Sequence, residues 1–347
     1  MTTVTPLISG LPVSEQINLI WPIYYCYTIF GILAFLINLI IIFVYFSNQS
    51  LKSRFTMYIG LAAADMINGL GFAATGFERL QYQFYSTKFE SFPTVNQYQC
   101  ALQIGNMLQI IGSQWPALII LFLGLERIFA VKYSVKHRHL EPKTFYKVLI
   151  ISLGLCLIST SVAMYIGVSV QRYTEVPFFC SLNYAYGSEY TTFTYFMTTT
   201  CYFAGFLFTI VALIIIIRAR KDVEFKNNIL SKECRKVKKI IFISLLSLIM
   251  IASPNLFLYS TKFIERKVSY LTTGWIHCLF ILRSIFNFWV IGFGVKEFEI
   301  RFFEMFFPCA LSPTDSVSDE ESKNKTFRLR PAPQRECYNN DCENYYI

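Results

Sequence analysis

Charge is scarce in this chain. Only 15% of its 347 residues are Asp, Glu, Lys or Arg, whereas a soluble domain carries about a quarter, so a soluble globular protein is excluded. Proline is also sparse, at 12, beside 34 Phe and 22 Tyr, a balance that excludes a disordered or collagen-like chain. Only three histidines occur, His137, His139 and His277, too few for a poly-histidine di-iron site or a three-ligand zinc site. No Lys or Arg precedes Trp21, so the N-terminus has no basic region leading into an apolar stretch and is not expected to be a cleaved signal peptide. No internal repeat is visible, unlike the paired halves common in transporters.

What the chain does have is long apolar runs, with a hydrophobic fraction of 54%. About 20 apolar residues cross the hydrocarbon of a bilayer as a helix. Seven segments qualify: Pro22–Phe46, Thr56–Phe77, Ala101–Leu125, Val148–Val170, Thr191–Ile217, Ile240–Thr261 and Ser269–Phe293. With the N-terminus outside, the inner loops hold 17 Lys and Arg and the outer segments 6, and that asymmetry sets the orientation. The net charge of +9 therefore reads as membrane topology, not nucleic-acid binding.

The expected fold is an all-α membrane protein, a seven-transmembrane helix bundle with a short amphipathic surface helix. Residues 1–21 form an extracellular N-terminus and 22–293 the bundle. Residues 294–309 form a surface helix carrying Phe298, Ile300, Phe302, Phe303 and Phe306, and 310–347 a disordered cytoplasmic tail open to phosphorylation. Cys309 is a candidate for palmitoylation, with an inert thiol the alternative. The sequons at Asn48 and Asn324 fall on the cytoplasmic side and are expected to be chance matches. The ending Tyr345-Tyr346-Ile347 matches weakly the termini that PDZ grooves take up.

Two cysteines stand in outer segments, Cys100 before the third span and Cys180 in the second outer loop. The outer face is oxidising, so a disulfide between them is the expected reading, with two free thiols as the alternative.

A formal charge in hydrocarbon costs at least about 2.5–3.5 kcal/mol. Asp65 and Arg283 are the two that fall deep within the apolar segments. Each lies about 14–15 Å from the inner end of its span at 1.5 Å per residue, so opposite charges share one depth. They are expected to face each other, directly or through Asn287, the alternative being two charges solvated separately in a wet cavity. Glu126-Arg127 closes the third span at the inner boundary, where such a dipeptide is usually a solvated anchor.

In combination these elements resemble the rhodopsin-like seven-transmembrane G-protein-coupled receptors over residues 22–309. Asn38 matches the span-one asparagine and Leu61-Ala-Ala-Ala-Asp65 the span-two LAxAD. Glu126-Arg127-Ile128, with Phe129-Ala130-Val131, resembles DRYxAV. Pro254 matches the span-six proline, and Leu282-Arg-Ser-Ile-Phe-Asn287 resembles LNSxxN. The departures are equally specific. Ala252 stands in place of the span-six tryptophan, Phe288 and Ile291 replace the proline and tyrosine of NPxxY, and Arg283 replaces an asparagine of the sodium pocket. The stretch from Cys100 to Arg127 is two residues longer than usual, so the disulfide precedes the helix or the helix bulges. Pro116 is expected to kink span three. Such divergence looks most like the nematode serpentine chemoreceptors of the SX type.

The resemblance implies a receptor, not an enzyme and without cofactor or metal. It would bind an extracellular ligand and activate a heterotrimeric G protein from the plasma membrane, sensory cilia included. Arg127, held by Glu126 at rest, would be released as span six swings about Pro254, with Val135 touching the G protein. The basic run Arg235, Lys236, Lys238 and Lys239 would meet anionic lipid or the G protein, or serve only as a positive-inside anchor. The ligand pocket maps onto Asn106, Gln109, Ser113, Asn255, Tyr259 and His277. Gln109 stands where amine receptors carry aspartate, and Ile281 where opsins carry the retinal lysine, which disfavours both roles. A neuropeptide or hormone receptor of the same fold is the alternative, and a membrane transporter using Asp65 and Arg283 as an ion relay is a further one.

Overall fold

A computed structural model describes residues 13–89, 94–133, 137, 142–170, 174–222, 228–263, 269–292 and 295–307. Seven of its helices are long and apolar enough to cross a membrane. In chain order the spans are Val13–Phe46, Thr56–Phe89, Ile104–Lys132, Pro142–Tyr165, Ser188–Asp222, the compound sixth span Asn228–Phe263, and Tyr270–Ile291. The chain is thus an all-α seven-span membrane protein. The helix Lys296–Phe306 follows, and within it the Arg301 guanidinium pairs with Glu304.

Several helices outrun their apolar segments. Span one begins at Val13, and Pro22 falls inside it, because Ile17 and Ile20 ahead of the proline are themselves buried. Span two continues past Phe77 to Phe89, carrying Glu78 and Arg79 within the helix. Span seven stops at Ile291, short of Phe293. Hydropathy locates the hydrocarbon, and a helix ends only where its hydrogen bonds do.

Spans two and three form the centre of the bundle. Within their apolar windows 72% and 67% of residues are buried, against 28% in spans four and five. The outward faces of the peripheral spans leave Ile29, Phe43, Ile150 and Ile158 more than half exposed, an apolar surface that suits hydrocarbon, not water. Close backbone approach packs the centre. A Cβ on Gly69 of span two would lie 2.8 Å from the Gly31 carbonyl oxygen of span one, so only glycine lets these helices meet.

Span three is preceded by a separate short helix, Gln97–Ala101, with Leu102 and Gln103 breaking the chain before Ile104. Cys100 sits on this short helix and is bonded to Cys180, so the extra length between Cys100 and Arg127 is taken up before the span begins. Strand β1 (Thr94–Asn96) pairs antiparallel with β2 (Glu175–Pro177), Val95 opposite Val176. The Tyr186 hydroxyl donates to the Ala101 carbonyl at 3.0 Å. Disulfide, strand pair and Tyr186 together fasten the second loop to the head of span three.

Span six is α-helical over Asn228–Ser247, widens to a π-helical turn over Leu248–Ala252 and returns to α-helix at Ser253–Phe263. Pro254 explains the widening. It has no N–H to offer and its ring crowds the carbonyl four residues back, so the preceding turn opens to six-residue closure. Pro116, by contrast, sits in a span-three helix that runs unbroken from Ile104 to Lys132.

Candidate functional site

Among the described residues, charged groups of opposite sign meet in a knot in the middle of the bundle and in a cluster at the end away from the disulfide. Both are built from residues that an apolar bundle holds only when they find partners.

Asp65 and Arg283 are fully buried, and the Arg283 Nη1 donates to an Asp65 carboxylate oxygen. Ser284 Oγ donates to the same oxygen at 3.1 Å, and Asn287 Nδ2 to the other at 2.6 Å. The charges therefore meet directly, and Asn287, one turn along from Arg283, completes the carboxylate. The guanidinium Nε donates to Ser247 Oγ at 3.1 Å on span six. Its carbon lies 5.6 Å from the centre of the Tyr202 ring on span five. Asn68 donates to Ser284 Oγ at 3.1 Å, and Asn38 of span one to the Ser284 carbonyl at 3.2 Å. One cation–anion pair thus ties spans two, five, six and seven, with span one attached through Asn38.

The second cluster closes span three. Arg127 Nη2 donates to both carboxylate oxygens of Glu126 at 3.1 Å, and His137 Nε2 lies 3.3 Å from Glu126 Oε1. Arg127 is only 8% exposed, unlike a solvated anchor. With Glu126 it lines a small, open cleft bounded by Ser53–Tyr58 and Phe145. The floor of that cleft is ordered locally by Asn48, whose side chain caps the helix Gln49–Arg54 by accepting from Ser50 and Leu51.

The residues mapped to a ligand pocket fare unevenly. Asn106 donates to the Cys100 carbonyl at 2.9 Å and so seals the break before span three. Asn255 donates to Thr198 Oγ1 on span five at 3.0 Å, and Ser113 donates to the Ile110 carbonyl of its own helix. Gln109 is buried on span three beside Gly71 of span two. The Tyr259 ring lies 6.0 Å from Phe196. His277 packs its ring between Phe72 and Phe280, centroids 6.2 and 5.3 Å away. Among the described residues, no hydrogen bond joins Asn106, Gln109, Ser113, Asn255 and His277 to one another. Val135, Cys309, Asn324 and Tyr345–Ile347 lie outside the described residues.

Several contributors had no signal in the sequence. Ser247 and Tyr202 are ordinary residues in apolar runs, and Asn68 lies one turn beyond Asp65. Arg79 looked like a loop charge, yet it is 5% exposed within span two.

A seven-helix bundle with this disulfide-fastened loop and a polar core belongs to the seven-transmembrane G-protein-coupled receptor class. The family model for the serpentine type 7TM GPCR chemoreceptor Srsx matches residues 28–306, and the chain belongs to that family. No curated protein matches it.

Proposed function

We propose that the chain is a chemosensory receptor of the plasma membrane, with the disulfide end outside and the Arg127 end in the cytoplasm. An extracellular ligand entering at the disulfide end shifts the bundle to a form that activates a heterotrimeric G protein. The observation that carries this reading is the Glu126–Arg127 pair, buried at the mouth of a cleft at the end away from the disulfide.

In mechanism, the resting bundle is held by two polar locks. The Asp65–Arg283 knot joins spans two, five, six and seven in the middle, and Glu126 holds Arg127 at the end. Span six carries the hinge. Its π-helical turn at Leu248–Ala252 lies between Ser247, bonded to Arg283, and Pro254. A ligand that binds the open form better moves the lower half of span six outward about this turn, breaks the Ser247 contact and frees Arg127 from Glu126. Val135 and the basic run Arg235–Lys239 then meet the G protein and the lipid surface. Asn106, Gln109, Ser113, Asn255, Tyr259 and His277 remain the proposed pocket wall, with Asn106 and Asn255 shaping it through their neighbours.

Membranes carrying the receptor are expected to speed nucleotide exchange on one heterotrimer of a panel covering the G-protein classes. No acceleration with any, at verified surface level and over a broad ligand library, overturns the reading.

A further inference from the structure

Arg79 is a buried cation with no anion in direct contact among the described residues. It lies at the disulfide end of span two, 5% exposed, and among the described residues no carboxylate comes within 4 Å of its guanidinium. Its acceptors are neutral and distant: Nη1 lies 3.4 Å from the Tyr270 hydroxyl and Nη2 lies 3.5 Å from the Cys180 carbonyl. Both exceed the usual 2.7–3.2 Å, and Nε has no partner at all. Glu78, the neighbour in the chain, attracts Arg79 only through space while its carboxylate accepts from the Gly105 backbone of span three.

The surroundings are aromatic. The guanidinium carbon lies 5.8 Å from the ring centres of both Tyr24 and Tyr27 of span one. Tyr24 and Tyr270 share a hydrogen bond at 3.0 Å, and Phe179 of the second loop lies 4.2 Å from the Tyr270 ring. Cys180, whose carbonyl faces the guanidinium, is held at φ 40°, a left-handed conformation that residues other than glycine rarely adopt. The loop and the head of span seven thus close over a charge they do not neutralise.

We infer that Arg79 is the anchor for the ligand's anionic group, so that the receptor recognises small organic acids carrying an apolar body. A carboxylate accepts two parallel bonds from a guanidinium and would engage Nε and one Nη, displacing the long contacts to Tyr270 and Cys180. The apolar part would lie against Tyr24, Tyr27 and Phe179. Releasing Cys180 and Tyr270 moves the second loop and span seven together, which links binding to the bundle. This inference rests on the receptor reading for its biological meaning, but the binding itself does not depend on G-protein coupling.

The test is saturation-transfer NMR on the full chain in nanodiscs, with 3-phenylpropionate and its neutral amide as probes. The acid is expected to show transfer and to bind at least about tenfold more tightly than the amide. Arg79→Gln should bring the acid down to the level of the amide, and Arg79→Lys should retain part of the difference. Tyr270→Phe, which removes a competing hydroxyl, should leave acid binding intact and covers the case in which the Arg79 variants fail to fold. Equal binding of acid and amide, acid binding unchanged in folded Arg79→Gln, or no binding of either probe overturns the inference. Acid binding with no heterotrimer responding would sink the receptor reading and leave the anion site standing. A neutral agonist equally active on Arg79→Gln would do the reverse.

Discussion

The Asp65 carboxylate and the Arg283 guanidinium, 218 residues apart in the chain, are paired where neither has any exposure to solvent. Each charge depends on the other, since removing one partner of a buried pair leaves the second uncompensated at a cost of about 3–5 kcal/mol. Asp65→Asn and Arg283→Gln are each expected to lower the melting temperature and the surface level sharply. The double variant should cost about 2 kcal/mol or more less than the sum of the singles. Additive losses in a thermal-denaturation cycle would show that the two side chains act independently.

A resident cation also predicts indifference to sodium. Arg283 occupies the place of an ion beside Asp65, and Asn287 and Ser284 complete the carboxylate. An ion that bound only the folded bundle would raise its stability with concentration. Exchanging choline chloride for sodium chloride at constant ionic strength should therefore leave the melting temperature of the purified receptor unchanged. A rise with sodium contradicts this assignment.

The Cys100–Cys180 bond spans 80 residues of chain. Its loss is expected to cost about 2–4 kcal/mol, chiefly by freeing the unfolded chain. The β1–β2 pair and the Tyr186–Ala101 hydrogen bond remain to hold the loop. Cys100→Ser should therefore lower the melting temperature while leaving the seven spans folded, as read by circular dichroism.

Glu126 holds Arg127 through two contacts of 3.1 Å. Hydrogen bonds between charged groups are worth about 1.5–3 kcal/mol, enough to shift a two-state equilibrium by about tenfold or more. Glu126→Gln should raise ligand-independent nucleotide exchange by that order. Unchanged or reduced basal exchange at equal surface level would remove Glu126 from the resting lock.

The parts legible in the sequence were those where physics leaves few choices. Asp65 and Arg283 stood out because a charge in hydrocarbon needs a partner, and equal depth on two helices supplied one. Cys100 and Cys180 stood out because two outward cysteines in an oxidising space are reactive toward each other. Helix ends were less legible. Span two runs twelve residues beyond Phe77 because backbone hydrogen bonding continues after hydropathy falls. That extension hid Arg79, which in sequence is one of an ordinary Glu-Arg pair at the edge of an apolar run. Tyr24, Tyr27, Tyr270 and Cys180 come from three distant segments, so no local pattern marks the cage they form. Nor does resemblance foretell a side chain's partner: Asn106 and Asn255 direct their amide nitrogens to the Cys100 carbonyl and Thr198.

The most direct measurement of the central claim is nucleotide exchange driven by Arg127→Ala beside the unaltered receptor at matched surface level. The account predicts that exchange falls to the level of membranes without receptor while the binding of 3-phenylpropionate persists. Exchange that continues undiminished in Arg127→Ala would contradict it.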